Sequence, residues 1–504
     1  MKTERTSDRP RWISMLGACT IATASLFSQD GVLDITFSSD GQYGFMPQIP
    51  DVITVDILET GGTIFSILSG VNGATSSYIL KLNSDGSLAT GSVDNGILEY
   101  PNAGFVDAAL SHDETRIFLL GGPTSGYQIS SIDLNGTVDV PWTPVNSADG
   151  GGGFAKMLVD DQGRICIGKG ASINGVGYGQ VIRLNEDFTP DSTFGNNGIA
   201  YTPAAPFGYP LFEIDNQGRM VLASYLPGGI WRFNTDGTVD ASFNYTLDLA
   251  SYSLDNWILD IAIAQDNSIY VQPNTWGWPA YLFKLLEDGS LNTGFGTGGY
   301  MDLSDADPLY YIAPDELLIE PGGGLIVLAQ GYAADGYMSA KYLTRLDENG
   351  VIDPEFDPGI QPIDDNGYDL RINFHCATLQ EDGKVLSMDQ VVKWQNGALF
   401  GYAPLITRFT NEKGAIVASV NDAGPREQHA IAFPNPTSGT VTMRAPAIDA
   451  WQNATAVITN SVGAVVLEEQ LVNGTIDLSA LACGVYTCLV QHAGGSVHAR
   501  IVKE

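Results

Sequence analysis

Apolar residues in this chain come in short runs, each cut by a polar turn before the next begins. In "EIDNQGRMVLA", residues 213–223, a strand-like run breaks at a turn rich in Asn, Gln and Gly and resumes at once. That order predicts strand, tight turn, strand. The same reading fits "ILETGGTIFSI", "LSHDETRIFLL", "LVDDQGRICIG", "IAQDNSIYVQP", "IEPGGGLIVLA" and "LQEDGKVLSMD". Stretches with the 3.6-residue period of an amphipathic helix are hard to find.

A second pattern falls between these hairpins. It reads "DGVLDITF" at 30–37, "DGSLATGS" at 85–92, "NGTVDVPW" at 135–142, "DFTPDSTF" at 187–194, "DGTVDASF" at 236–243, "DGSLNTGF" at 288–295, "NGVIDPEF" at 349–356 and, decayed, "KGAIVASV" at 413–420. Its glycine slots, Gly31, Gly86, Gly136, Phe188, Gly237, Gly289, Gly350 and Gly414, stand 49 to 64 residues apart and mark seven units. Two hairpins per unit give about four short strands, the content of one propeller blade. If the glycine closes a three-residue turn in the left-handed region, the residue five before it faces the residue three after. Arg183 then opposes Asp191, Arg232 opposes Asp240 and Arg345 opposes Asp353, as pairs that pin register. The aromatics ending the copies, Phe37, Trp142, Phe194, Phe243, Phe295 and Phe356, are expected to pack between blades. Which terminus closes the ring stays open.

These repeats, with "DSTFGNNGIA" and "NTGFGTGGY" the best copies, resemble the delta-60 repeat family of bacterial secreted proteins over residues 30–420. The resemblance implies a β-propeller and brings no catalytic residues with it. After "NDAGPREQ" the repeat stops and alternating strands run to the end, beginning "FPNPTSG" and continuing through "LACGVY" to "ARIVKE". This part resembles the C-terminal sorting domain of type IX secretion substrates of Bacteroidetes at Pro434, Asn435, Pro436, Gly439, Leu478, Leu481, Gly484, Tyr486, Ile501 and Lys503. The resemblance implies export by the type IX machinery, with the cargo released or held at the surface. The expected fold class is all-β: a seven-bladed β-propeller followed by a small Ig-like β-sandwich. The expected domains are a signal peptide at 1–28, the propeller at 29–420, a linker at 421–428 and the sorting domain at 429–504.

The N-terminus supports export. Lys2, Arg5, Arg9 and Arg11 precede the apolar "WISMLGACTIATASLF", the layout of a secretory signal peptide. "LGAC" as a lipoprotein box is disfavoured, because the apolar run continues past Cys19. A formal charge of -34 argues against nucleic acid and anionic membrane surfaces as partners. Cys483 and Cys488 could bridge or remain buried thiols. No Cys/His metal spacing, GxSxG, HExxH or P-loop occurs, and the five histidines are scattered. The repeat is not an EF-hand: registered on Gly350, Arg345 and Phe356 fall where carboxylates are needed. No cofactor is therefore expected, with calcium in another geometry as the one alternative. Chemistry is expected in the unequal loops after each second-motif strand, above all "NTWGWPAY" with Trp276, Trp278 and Tyr281 as ligand-binding aromatics. The expectation is a secreted or cell-surface binding or adhesion protein for a glycan or protein. The alternative is an extracellular hydrolase or lyase acting on polysaccharide through carboxylates at the channel mouth.

Overall fold

In the computed structural model the chain divides into two compact units, Met1–Ile416 and Val417–Glu504. The structure describes residues 33–503 except 35, 39–41, 45–51, 71–75, 91–92, 123–125, 146–153, 226–227, 274–279, 304–310, 333–337, 354–355, 357–360, 363–368, 381, 396–397, 412–427, 430, 434–438, 445–453, 461–464, 472–473, 483 and 493–494.

Among the described residues the first unit holds seven antiparallel sheets of three or four strands. Their innermost strands are Val52–Thr60, Gly104–Leu110, Ala155–Val159, Pro210–Ile214, Ile258–Ile263, Tyr311–Ile319 and Asp369–Leu379. Each inner strand contacts the next, and the last contacts the first, so the sheets are the blades of a closed β-propeller. Blades 1 to 7 are numbered here by these strands.

Blade 7 shows how the ring closes. Its three C-terminal strands, Asp369–Leu379, Val385–Gln395 and Ala398–Phe409, take a fourth from the other end of the chain, Gln42–Gly44, which pairs with Leu405–Thr407. The first copy of the repeat, "LDITF", therefore completes the last blade. Sequence spacing gives a reason for the fourth strand to come from the N-terminal copy. In blade 4 the glycine stands five residues after the arginine, Arg232 to Gly237, whereas Arg408 is followed by Gly414 six positions on. One extra residue would turn every following side chain to the wrong face of the sheet.

The recurrent hairpin forms as its sequence predicts. Gly237 N–H donates to the Asn234 carbonyl and Asp240 N–H to the Arg232 carbonyl, which places residue 232 opposite 240. Gly237 has φ 84°, and a Cβ there would lie 2.6 Å from the Gly195 nitrogen of blade 3. Glycine is required twice over, by its backbone conformation and by the neighbouring blade. Phe188, with φ 68°, fills the same slot in blade 3, and its ring sits edge-on to Phe118 at 5.8 Å.

The basic residue of this hairpin also joins neighbouring blades. Arg183 bonds Asp191 at 2.8 Å, lies over Phe194 with its guanidinium 4.3 Å from the ring centre, and donates to the Thr235 carbonyl of blade 4 at 2.7 Å. Arg232 repeats this with Asp240, Phe243 and the Glu287 carbonyl of blade 5. Lys81 reaches the Leu134 carbonyl of blade 2, and Lys284 the Glu348 carbonyl of blade 6. Each acceptor carbonyl lies two residues before the next blade's turn glycine. Blade 2 departs from the pattern: Ser131 stands in the basic slot, and Arg116 instead bonds the exposed Glu186 of blade 3. Burying Arg183 with its carboxylate, a carbonyl and an aromatic face meets its hydrogen-bonding and charge requirements where water is excluded.

The second unit is a sandwich of two sheets. One has the spatial order Gln428–His429, Gly495–Lys503, Gly484–His492, Thr455–Asn460, Val465–Gln470; the other is Ile431–Phe433, Thr440–Arg444, Thr475–Asp477. Val441, Ile458, Ile476, Leu478, Tyr486 and Val490 fill the space between them.

Candidate functional site: the loop face and the central channel

Antiparallel pairing puts the tight turns of the blades at one end of the ring. The loops between second and third strands, and the connections between blades, lie at the other. At the turn end the basic side chains are spent on the ties described above, and the turn carboxylates on their own loops. Asp85, Asp187, Asp236 and Asp288 each accept the N–H and hydroxyl of the Ser or Thr two residues on. Among the described residues no three His, Cys, Asp or Glu side chains gather as a metal site.

The loop end carries a row of aromatics. Phe154, Tyr209 and Trp257 each stand immediately before the inner strand of blades 3, 4 and 5, and Tyr225 immediately follows the second strand of blade 4. Ring centres are 4.2 Å apart for Phe154 and Tyr209, 5.7 Å for Tyr209 and Tyr225, and 5.8 Å for Tyr225 and Trp257. The backbone ties Tyr209, Tyr225 and the strand after Trp257 together, since Tyr225 N–H donates to the Tyr209 carbonyl and Ile258 N–H to the Tyr225 carbonyl. Phe154 is nonetheless 64% exposed and Tyr209 47%. Large aromatic rings exposed side by side in this way form an apolar surface on the loop end.

Below the row lie the charged groups of the channel. The position four before the first inner turn is Asp56, Asp107, Lys156, Leu211, Asp260, Glu316 and Cys376 in blades 1 to 7. β-Bulges accompany Asp56, Asp107, Asp260 and Glu316. Two of these acids tie inner strands together: Asp107 accepts the Met157 N–H of blade 3, and Asp260 the Leu317 N–H of blade 6 at 2.8 Å. Each satisfies a donor on an edge that has no further strand beyond it. Lys156 lies 3.6 Å from Asp56 and 3.5 Å from Asp107, with its side chain 39% exposed to the channel.

Burial raises the Asp107 carboxyl to about 7, with Asp56 adding to the rise against the pull of Lys156. Burial likewise raises Asp260 to about 7, against its two backbone donors. Glu213, two residues after Leu211 on the same strand, is pushed up to about 8 by burial and by Asp260. For Lys156 burial works downward, but Asp107 and Asp56 outweigh it and hold the ammonium charged. The sequence alone suggests carboxylates at the channel mouth but does not single any out. The signal was available in the aligned second motif, as one column reading Asp, Asp, Lys, Leu, Asp, Glu, Cys.

Of the sequence-predicted ligand aromatics, Trp276 and Trp278 lie outside the described residues. Tyr281 opens the third strand of blade 5 and packs against Tyr252, Phe283 and Tyr300, 4.7 Å from the last. The structure does not bring it to the row formed by Phe154 and Tyr209. Pro434, Asn435 and Pro436 also fall outside the described residues. Gly439 accepts the Leu478 N–H, Gly484 begins a strand, the Tyr486 hydroxyl donates to the Ala482 carbonyl at 2.8 Å, and Lys503 pairs with Gly484. Cys488 is a buried free thiol, pushed up to about 12 by burial, and Cys483 is outside the described residues.

Two family models match the sequence. One, a secretion system C-terminal sorting domain, covers residues 431–504. The chain ends in a type IX sorting domain. Its cargo is accordingly exported to the cell surface or secreted, and among the described residues no helix is long and apolar enough to cross a membrane. The other model, a β-propeller domain of unknown function (DUF5122), covers residues 228–243, one copy of the recurrent hairpin with the strand before it. No curated protein matches the chain.

Among solved structures, the chain is similar to PorZ, a bacterial surface component of the type IX secretion system of Porphyromonas gingivalis, at 14% identity and TM-score 0.41. That alignment covers 89% of this chain and 59% of the other, so the chain spans less than two thirds of that protein. It is similar to the polysaccharide lyase Uly1 at 8% identity and TM-score 0.44, over 76% of this chain and 97% of the other. It is also similar to the propeller domain of the Trilobed protease from Pyrococcus furiosus, described as having an open velcro topology, at 10% identity and TM-score 0.40, over 72% and 99%.

Proposed function

We propose that this exported propeller is a binding module that holds a glycan on its loop face, along Phe154, Tyr209, Tyr225 and Trp257. The observation that carries the reading is the pair Phe154 and Tyr209, whose ring centres lie 4.2 Å apart with planes tilted by 59°, while they remain the two most exposed aromatic rings among the described residues. Sugar rings present apolar faces that stack on such surfaces, while their hydroxyls remain in water. A core function does not explain the pair, because neither ring is buried by its neighbours. The test is binding of the full chain to a broad glycan array, beside Phe154→Ala and Tyr209→Ala. Binding lost in both variants, with unchanged thermal unfolding, supports the reading; binding retained in both removes it.

A second reading is an extracellular hydrolase or lyase acting on polysaccharide. Glu213 favours it: its carboxyl has no hydrogen-bond partner among the described residues and, near 8, it is protonated at neutral pH as a general acid must be. Its test is product release from array-positive polysaccharides by the full chain and by Glu213→Gln. Turnover abolished in the variant would favour catalysis over simple binding.

A further inference from the structure

On the reading that the aromatic row holds a glycan, we infer that blade 3 sets the position of Tyr209: a face of glycines on its hairpin seats Phe207, which is a positioning residue for the site. The second and third strands of blade 3, Ile165–Ile173 and Val176–Leu184, have nine residues each, against five for Met220–Ser224 and Gly229–Phe233 in blade 4. In the register of that hairpin Gly168 stands opposite Val181, Gly170 opposite Gly179 and Ser172 opposite Gly177, so the four glycines share one face. Val181 packs with Phe212 and Leu222, which turns this face toward blade 4.

Glycine weakens a strand interior, and conformational freedom is not what these positions use, because none of the four has a positive φ. They supply space. A Cβ on Gly168 would lie 2.7 Å from the Phe212 ring, one on Gly177 2.8 Å from the Ala205 carbonyl oxygen, one on Gly179 2.6 Å from the Phe207 ring and one on Gly170 3.3 Å from the Gly208 carbonyl oxygen. The connection from blade 3 to blade 4 occupies that space. Thr202 N–H donates to the Gly179 carbonyl at 2.9 Å, Ala205 N–H to the Gly177 carbonyl at 3.0 Å, and Gly208 N–H to the Ser224 hydroxyl at 3.0 Å. On the side of blade 4 the Phe207 ring meets Trp231 at 5.7 Å. Tyr209 follows two residues later, its carbonyl held by Tyr225 N–H at 2.8 Å. Its main chain is tied on both sides while the residue stays 47% exposed. Order that exists before the ligand arrives is not lost on binding, which strengthens affinity.

The experiment is a cycle of Gly179→Ala, Phe207→Ala and the double variant in the full chain. Each is read by its half-saturating concentration on the broad glycan array, well below the unfolding transition, and by hydrogen exchange over residues 202–209. Either single change should speed that exchange and weaken binding about tenfold. The two losses should not add, because the methyl group on residue 179 then has no ring to displace. Gly175→Ala strains the tip of the same hairpin at φ 80° but brings its Cβ within 4 Å of nothing, and should leave binding unchanged. Phe207→Ala keeps every glycine and decides the point if Gly179→Ala does not fold. Faster exchange with binding unchanged, in a chain whose binding is still lost with Tyr209→Ala, would overturn the positioning role and leave glycan binding standing; fully additive losses would overturn the seat. Silence of the natural chain on the array would remove the glycan reading and this inference with it.

Discussion

Arg408 and Asp34 stand 374 residues apart in the chain, and their side chains meet at 2.9 Å. The guanidinium also donates to Thr36 at 3.1 Å and to the Ser84 carbonyl of blade 1, and lies over the Phe37 ring at 4.7 Å. This is the same contact set that Arg183 of blade 3 makes with Asp191, Thr193, Phe194 and the Thr235 carbonyl of blade 4, assembled here from the two ends of the propeller. Both charged partners are buried. Asp34→Ala would leave a buried guanidinium short of its counter-charge, at a cost of about 3–5 kcal/mol. Thermal unfolding of the full chain should show a lowered propeller transition, and an unchanged one would mean that the clasp is dispensable.

The extra residue between Arg408 and Gly414 gives a sharper test. Removing Glu412 restores the five-residue spacing, and adding Val417→Asp with Val420→Phe restores the missing carboxylate and aromatic. This repaired local copy should compete with the N-terminal one for blade 7. Asp34→Ala placed on that background should then lose much less stability than on the natural chain. An equal loss in both would show that register is not what keeps the local copy out.

The inter-blade ties differ in burial, so they should differ in energy. Arg183→Ala takes from the buried Asp191 its nearest counter-charge, leaving Arg164 at 3.7 Å, and should cost about 3 kcal/mol. Arg116→Ala, which removes a partly exposed pair with Glu186, should cost about 0–1 kcal/mol. Denaturant titrations of the two variants should separate them clearly.

Acid–base behaviour should make the propeller most stable at mildly acid pH. Asp107, Asp260 and Glu213 stand at about 7, 7 and 8 in the folded chain, above the ~4 of an unfolded carboxyl. Their raised values favour the protonated folded form, so that contribution is whole below about pH 4 and is lost as pH rises through 7 to 8. Asp34, Asp191 and Asp240 run the other way. Burial pushes each upward, but hydrogen bonds from Thr36, Thr193 and Ser242 and the charge of the paired arginine hold them below the usual range. Their contribution is present above about pH 4 and is lost as pH falls through the lowered values. Unfolding midpoints measured from pH 3 to 9 should therefore peak near pH 4 to 5, and a profile still rising at pH 8 would contradict the channel assignment.

Packing against the neighbouring blade should decide the fate of the turn glycines. Gly237→Ala combines a strained φ with a Cβ 2.6 Å from the Gly195 nitrogen, and should destabilise more than Gly218→Ala, whose Cβ would meet only Thr235 at 3.6 Å. Both glycines have positive φ, so the difference in unfolding free energy isolates the inter-blade clash.

Sequence alone determined the repeat, the alternating hairpins and the sorting tail, because each depends on residues near one another along the chain. Arg232 faces Asp240 through a three-residue turn, and the spacing of those residues already implies it. What the same arginine does next, donating to the Glu287 carbonyl, depends on how closely two blades approach, and no local pattern records that distance. The closing strand was hidden for the same reason. Gln42–Gly44 and Leu405–Thr407 meet only when the ring curves back on itself. The aromatic row is likewise drawn from three blades: Phe154, Tyr209 and Trp257 are unremarkable singly and become a surface only where their inner strands begin side by side. Local sequence sets hairpins through turn geometry and side-chain alternation, whereas tertiary structure decides which hairpin ends converge, and in this protein both the clasp and the candidate site are made of such convergences.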